Sequence, residues 1–434
     1  MSKLAIHGGK PSILRGHVAW PIVTDKEKKA VMAVLDRRVF WGAFAPEVKE
    51  LQKEWARYLG MQYCLATNSG TAALHIALRG VGVGSGDEVI TTALTFVATA
   101  LAALHCNAVP IFVDVDPRTF NIDPAKIEEK ITSRTRAIMP VHLHGLPADM
   151  DRINAIAKKH GLSVIEDACQ AHGAVYKGKK AGTLGDAAGF SLNGSKNLPG
   201  CEGGLFVTNS ETARNEAAKV RDLGEIIEEG VERDYNAFEI GWMYRSTEMN
   251  AAFARVRLQS LDKENAQRRK NAAYLNQKLQ AFKGIIPPYL PADCESAFYM
   301  NRLRFDPKAL GLEVSPKEFR AKVQKALRAE GVQANRWQNR PVPMQQLFQQ
   351  KRGYGQGAPW RSPAGGESTV VYRAEDFPET QKVVDDSIVI SDAIFPPNGT
   401  DLMDRYVQTF AKLWENLDEV LRVELKPEEI YVRD

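Results

Sequence analysis

From about residue 60 to 210, short apolar, β-branched runs alternate with longer runs patterned at the helical period, and Gly, Pro, Asp or Asn separates each pair. The strand-like runs are 88–92, 108–114, 136–142, 162–167, 187–191 and 204–208. Helical patterning falls near 47–59, 70–80, 97–106, 124–131 and 149–160, with a further segment at 211–221. Strands covered on both faces by crossover helices make an α/β sheet, and its ligand site belongs at the loops that follow the strand ends.

The pattern then changes. Residues 246–283 are rich in Ala, Leu, Gln, Lys and Arg, with no proline or internal glycine, and predict one long helix or a broken pair. They link a large domain, 1–262, to a smaller α+β domain, 263–434. In the second part, Phe298–Phe305 alternates like a half-exposed strand, Ser315-Pro316 opens a helix, and 401–421 reads as a final helix. Residues 351–378 form a long Gly/Pro-rich stretch, which predicts a lid or a mobile insertion.

Composition narrows the classes. The 434 residues are 44% hydrophobic and 25% charged, values of an ordinary globular protein. A net charge of +4 without a dominant basic block argues against a nucleic-acid partner. The most apolar stretch, 94–104, is too short and too interrupted to span a bilayer, and the N-terminus does not read as a secretory signal. Five scattered cysteines without Cys-x-x-Cys spacing fit neither a disulfide framework nor a zinc knuckle, so a reducing cytoplasm is expected.

Three segments carry candidate chemistry. In 191–204, a lysine, Lys196, lies in a loop of small residues between two buried strands. An amine on a flexible stem, there partly desolvated, is what Schiff-base chemistry requires. In 165–173, Asp167 ends an apolar strand; a buried carboxylate needs a cationic partner, and a protonated pyridinium nitrogen would serve. Asn68-Ser69-Gly70-Thr71 opens a helix, whose free amides, dipole and hydroxyls make a phosphate cup. Each alone has a plainer reading: a helix cap, a turn carboxylate, a solvated lysine.

Their order, cup, acidic strand end, then lysine before a Glu202-Gly203-Gly204 turn, resembles the DegT/DnrJ/StrS family of pyridoxal-phosphate aminotransferases, which act on keto-sugars, cyclitols and related rings. The resemblance runs from Trp20-Pro21 and Trp41-Gly42 to the C-terminal helix. It implies the fold of type I pyridoxal-phosphate transferases, like aspartate aminotransferase, with a large mixed-sheet domain and a smaller α+β domain. It also implies that Lys196 bonds the cofactor and shuttles the proton, that Asp167 holds the pyridine nitrogen protonated, and that Gln170 binds the phenolic oxygen. Phe96 would stack on the ring, although core packing is its plainer reading, and Ser69, Gly70, Thr71 and Ser191 would hold the phosphate. Trp41, Tyr244, Arg245 and Arg336 are candidate substrate contacts, the last with its neighbours Trp337 and Arg340 before Pro341-Val342-Pro343.

Two departures stand out. Cys201 occupies a position where the family has glycine, so the lysine loop is expected to take a different path or bear strain. Met243 stands where the family has an asparagine that reaches the neighbouring subunit's phosphate, and Asn236 or Arg245 are possible substitutes. Elsewhere, His142-Leu143-His144 has no third metal ligand nearby and reads as structural. The run Gly80-x-Gly82-x-Gly84-x-Gly86 follows a helix and precedes a strand, the reverse of a dinucleotide fingerprint, and reads as a helix-ending loop. The expected protein is a homodimer with shared active sites. It would move an amino group from L-glutamate or L-glutamine to a cyclic ketone. The rivals are an aromatising enzyme like 3-amino-5-hydroxybenzoate synthase and a non-catalytic partner subunit of the same fold.

Overall fold

A computed structural model describes residues 3–14, 18–42, 44–361 and 368–430. Its main sheet has seven strands: β1 (Tyr63–Thr67), β2 (Glu88–Thr92), β3 (Val109–Val113), β4 (Thr135–Met139), β5 (Ser163–Asp167), β6 (Ala187–Ser191) and β7 (Gly204–Thr208). They lie in the order β1-β7-β6-β5-β4-β2-β3, all parallel except β7. Strands β2, β3, β6 and β7 are buried along their whole length, which is why they read as continuous apolar runs. Because β1, β2, β5 and β6 are parallel, their C-terminal ends share one edge, and antiparallel β7 begins there.

Helices α1 (Asp25–Arg37), α2 (Pro46–Leu59), α3 (Gly70–Gly80), α4 (Ala98–His105), α5 (Met150–His160) and α6 (Glu211–Arg221) belong to this half of the chain. The structure adds two elements, corrects two expectations and decides one open alternative. Neither α1 nor β1 was picked out by the hydrophobic pattern. The helix expected at 124–131 is two single 3₁₀ turns, Pro124–Lys126 and Glu128–Lys130. The stretch 246–283 is a pair, α7 (Glu248–Leu258) and α8 (Leu261–Leu279), broken at Gln259-Ser260, where Ser260 Oγ donates to the Arg257 carbonyl at 3.1 Å. The strand at 298–305 is regular only over Arg302–Phe305 and is fully buried rather than half-exposed. Its alternate arginines are buried with partners: Arg304 pairs with buried Asp386, and Arg302 bonds to His144 and Ser387.

Arg302–Phe305 is central in a three-stranded sheet, flanked by Ile285–Ile286 and Ser387–Val389. Helices Pro316–Ala329 and Thr400–Glu415 pack with α8 around this sheet in a core that also takes in Leu4 and Ile13 from the N-terminal segment. The 351–378 stretch is described except for 362–367, which contain Pro363, Gly365 and Gly366. Its described part is anchored to the edge strand β3 and forms no lid over the strand ends. Trp360 and Tyr372 are buried with Phe348 beside Phe112, and the Tyr372 hydroxyl donates to the Pro110 carbonyl at 2.8 Å. This shields the sheet edge that β3 would otherwise expose. Gly82 and Gly86 adopt φ of +83° and +88° in the loop between α3 and β2, as a helix-ending turn requires.

Candidate active site

The shared edge of the sheet holds a cavity of about 330 Å³, and segments far apart in sequence meet around it. On one side stands the N-terminus of α3. Ser69 caps it by accepting from the Ala72 amide at 3.1 Å, while the first amides, at Gly70 and Thr71, have no intrahelical acceptor. Gly70 is required here by a close approach, because a Cβ would stand 2.7 Å from Ser191 Cβ and 3.0 Å from Cys169 Sγ. Ser69, Gly70, Thr71 and Ser191 therefore form one cradle, with the helix dipole directed into it.

Asp167 ends β5 and is nearly fully buried. Thr99 Oγ1 donates to its Oδ2 at 2.7 Å and the Cys169 amide to its Oδ1 at 3.1 Å, so the carboxylate is held in one orientation at the cavity wall. Its neighbour Glu166 points to the other face of the strand. There it accepts from the amides of Gly182, Leu184 and Gly185 at 2.6–2.7 Å and meets His142 Nε2 at 2.8 Å. The strand's two-residue period thus separates a structural carboxylate from a site carboxylate.

Lys196 is half-buried, with Nζ 4.2 Å from the centre of the Tyr299 ring. Its loop is held by the Trp20 indole N–H, which donates to the Lys196 carbonyl at 3.1 Å, and by Asn193, whose amide donates to Glu202 at 2.7 Å. Cys201 takes φ +66°, so the loop adopts the left-handed geometry a glycine would have, with the thiol exposed and the strain accepted in place. Gln170 Oε1 accepts from the His144 amide at 2.8 Å, which fixes its side chain at the cavity wall. Phe96 is 58% exposed and lines the cavity, so it is not a core residue. Burial pushes His172 down to about 3 and His144 well below its ordinary value. Both imidazoles are therefore neutral, and Lys196 is the only basic side chain among the described residues lining the cavity.

All eight predicted catalytic and cofactor positions come together here: Ser69, Gly70, Thr71, Phe96, Asp167, Gln170, Ser191 and Lys196. Residues with this chemistry, an unpaired helix N-terminus, a fixed buried carboxylate and a reachable amine, fit a phosphorylated pyridine aldehyde. The four substrate candidates do not line the cavity. Trp41 is 70% exposed, with the Arg245 guanidinium 6.0 Å from its ring centre. Tyr244 meets His75 Nδ1 at 3.3 Å and stacks on Trp242, behind α3. Arg336 is half-buried and lies near Asp385. Met243 is exposed, and its sulfur accepts from Arg245 at 3.0 Å; Asn236 is exposed as well. Thr99, Tyr299 and Trp337 also line the cavity. No motif flagged Thr99 or Tyr299, whereas Trp337 was expected, with Arg336 and Arg340, as a candidate substrate contact.

The sequence profile of the DegT/DnrJ/EryC1/StrS aminotransferase family matches residues 21–362. The chain belongs to this family. The chain is an aminotransferase-family enzyme, and the family is pyridoxal-phosphate-dependent. It is 39% identical to the GDP-perosamine synthase of Caulobacter vibrioides over 314 residues, covering 69% of this chain and 83% of that one. A putative L-glutamine:3-amino-2,3-dideoxy-scyllo-inosose aminotransferase of Streptoalloteichus tenebrarius is 37% identical over 339 residues, covering 76% and 79%. The crystal structure of 3-amino-5-hydroxybenzoic acid synthase superposes with a TM-score of 0.81 at 29% identity, covering 94% of this chain and all of that one. The α/β fold with its seven-stranded mixed sheet is thus the family's fold. No helix among the described residues is long and apolar enough to cross a membrane.

Proposed function

We propose that this aminotransferase binds pyridoxal 5'-phosphate in the cavity at the sheet edge and moves an amino group from L-glutamine or L-glutamate to a keto-sugar or keto-cyclitol. The observation that carries the reading is the convergence of Lys196, Asp167 and the α3 N-terminus on one cavity. The cofactor, when bound, supplies an aldehyde that accepts amines and a ring that draws off electron density. The chain does the rest. Gly70 and Thr71 amides and the Ser69 and Ser191 hydroxyls would hold the phosphate, and Phe96 would cover one ring face. Asp167, fixed by Thr99, would keep a proton on the ring nitrogen, and Gln170 would donate to the phenolic oxygen. The amine of Lys196 would take the proton from the substrate carbon and return it to the other side of the exchange.

The acceptor class rests on the relatives at 37–39% identity, whose names specify an amino-sugar nucleotide and an aminocyclitol. The aromatising alternative is favoured only by the structural likeness at 29% identity. A homodimer belongs to the same proposal. Ile226, Val231, Tyr235, Phe238, Ile240 and Met243 form an exposed apolar run, and no arginine among the described residues lines the cavity to grip a donor carboxylate. Exposed Trp41 and the largely buried Arg245, beside that run, would serve the partner's site, and Arg336 would approach on substrate closure. The test is chemical. After incubation with pyridoxal phosphate and reduction with borohydride, mass spectrometry should find the label on the peptide bearing Lys196. Label elsewhere, or none, would overturn the reading.

A further inference from the structure

The segment 335–342 crosses from the C-terminal sheet to the edge of the large sheet, and it is pinned at both ends. Asn335 and Val389 exchange backbone hydrogen bonds at 2.7 and 2.8 Å, and the Val342 amide donates to the Ala93 carbonyl at 2.9 Å. Midway, Gln338 takes φ +63° and donates its side-chain amide to the Thr95 carbonyl. A run held this firmly presents one side chain to the cavity, Trp337.

A buried polar pair fixes that indole. Arg302 is completely buried; it donates to the Trp337 carbonyl at 2.9 Å, to Ser387 Oγ at 2.6 Å and, through Nε, to His144 Nε2 at 2.9 Å. Because Arg302 can only donate, His144 Nε2 must accept, so neutral His144 carries its proton on Nδ1. Nδ1 has no hydrogen-bond partner among the described residues, and the His144 ring meets the Trp337 ring edge to face, centres 4.8 Å apart. His144 reaches this place only with φ +58°, a strained conformation for a non-glycine residue. Fully formed but strained packing around one cavity residue is expected where orientation matters for function.

We propose, resting on the aminotransferase reading above, that Trp337 is the acceptor-contact residue on the C-terminal side of the cavity, and that Arg302 and His144 are positioning residues that act through it. Beside Phe96 and Tyr299, it completes an aromatic wall in a cavity where Lys196 is the only basic side chain among the described lining residues. An indole face suits the C–H face of a six-membered polyol ring, where dispersion and apolar burial operate together. A linear amino-acid donor gains little from the same surface. Trp337 therefore sorts substrates by half-reaction, favouring the ring ketone over the donor.

The two half-reactions separate this role from a general structural one. Holoenzyme is mixed with L-glutamine for the donor step; 3-amino-2,3-dideoxy-scyllo-inosose in the forward direction and GDP-perosamine in reverse probe the acceptor step. Trp337→Ala should lower kcat/KM for the acceptor probe by about tenfold or more, a size typical of losing one buried aromatic contact. The donor rate and the visible spectrum of the holoenzyme should stay within about threefold and unchanged, respectively. Trp337→Phe, which keeps a ring, should recover most of the loss. Arg302→Lys carries its donors on a single nitrogen, without the planar fork that reaches three separated acceptors, and should show a smaller loss confined to the same step. Equal loss in both steps, or no loss in the acceptor step, would overturn the proposal. Failure of the underlying reading is visible separately, as a wild-type holoenzyme that does not react with the donor at all.

Discussion

Gly70 packs its α-carbon against Ser191 and Cys169 at the mouth of the phosphate cradle, so a single methyl group tests the cradle directly. Gly70→Ala should weaken pyridoxal-phosphate binding about tenfold or more, since overpacking of this kind costs roughly 1–3 kcal/mol. Titrating apoprotein with cofactor and following the visible absorbance checks it; unchanged affinity would place the phosphate elsewhere. At this scale much of the site was legible in the sequence. Ser69-Gly70-Thr71 opened a helix, Asp167 closed an apolar strand, and Lys196 lay in the small-residue loop between two buried strands. What could not be read was partnership across space. Thr99, which orients Asp167 from 68 positions away, sits in an ordinary helix start and carries no local signal. The strand at 298–305 read as half-exposed because the acceptors of Arg302 and Arg304, His144 and Asp386, belong to other segments.

Between elements, buried carboxylates act as helix caps supplied from elsewhere in the chain. Glu248 at the start of α7 accepts from the Glu47 and Val48 amides of α2 at 3.1 and 2.9 Å. Asp114, just after β3, accepts from the amides of Glu379 and Thr380 at 3.0 and 2.8 Å and from the Thr380 hydroxyl at 2.7 Å, at the start of helix Pro378–Asp386. Burial alone would raise the Asp114 pKa, but these hydrogen bonds hold it below its ordinary value of 3.8. A carboxyl depressed in the folded state stabilises the fold fully above its unfolded value and loses that contribution as pH falls through its folded value. Asp114→Asn should therefore cost about 1–3 kcal/mol at neutral pH and flatten the acid limb of the stability profile. Denaturant unfolding across pH reads this, and parallel wild-type and variant profiles would contradict it. Such caps explain why element boundaries were only partly legible. The helix beginning at Ser315-Pro316 announced its own cap, with Ser315 accepting from the Glu318 amide at 3.2 Å, whereas the helix beginning at Pro378 borrows its cap from a strand more than 260 residues earlier. The long 246–283 run carried no glycine or proline to mark its break, and the break is made by Ser260 bonding back to Arg257.

Across the whole molecule, parallel topology gathers the chemistry. Strands β1, β5 and β6 deliver Ser69-Gly70-Thr71, Asp167 and the Lys196 loop to one edge, and the C-terminal sheet adds Trp337 through a segment pinned at both ends. The α/β alternation made this edge predictable. The placement of 351–361 and 368–378 against β3 was not, because a Gly/Pro-rich composition says that a segment lacks its own core without saying where its few aromatics dock. The central claim is that this edge carries an amino group from an amino acid to a ring ketone, and rapid-mixing absorbance of the pyridoxal-phosphate-loaded protein tests it most directly. The account predicts that L-glutamine or L-glutamate bleaches the visible band, that 3-amino-2,3-dideoxy-scyllo-inosose or another cyclic keto-polyol restores it, and that Lys196→Ala abolishes the cycle. A protein that takes up no cofactor, or whose band no amino acid bleaches, would contradict it.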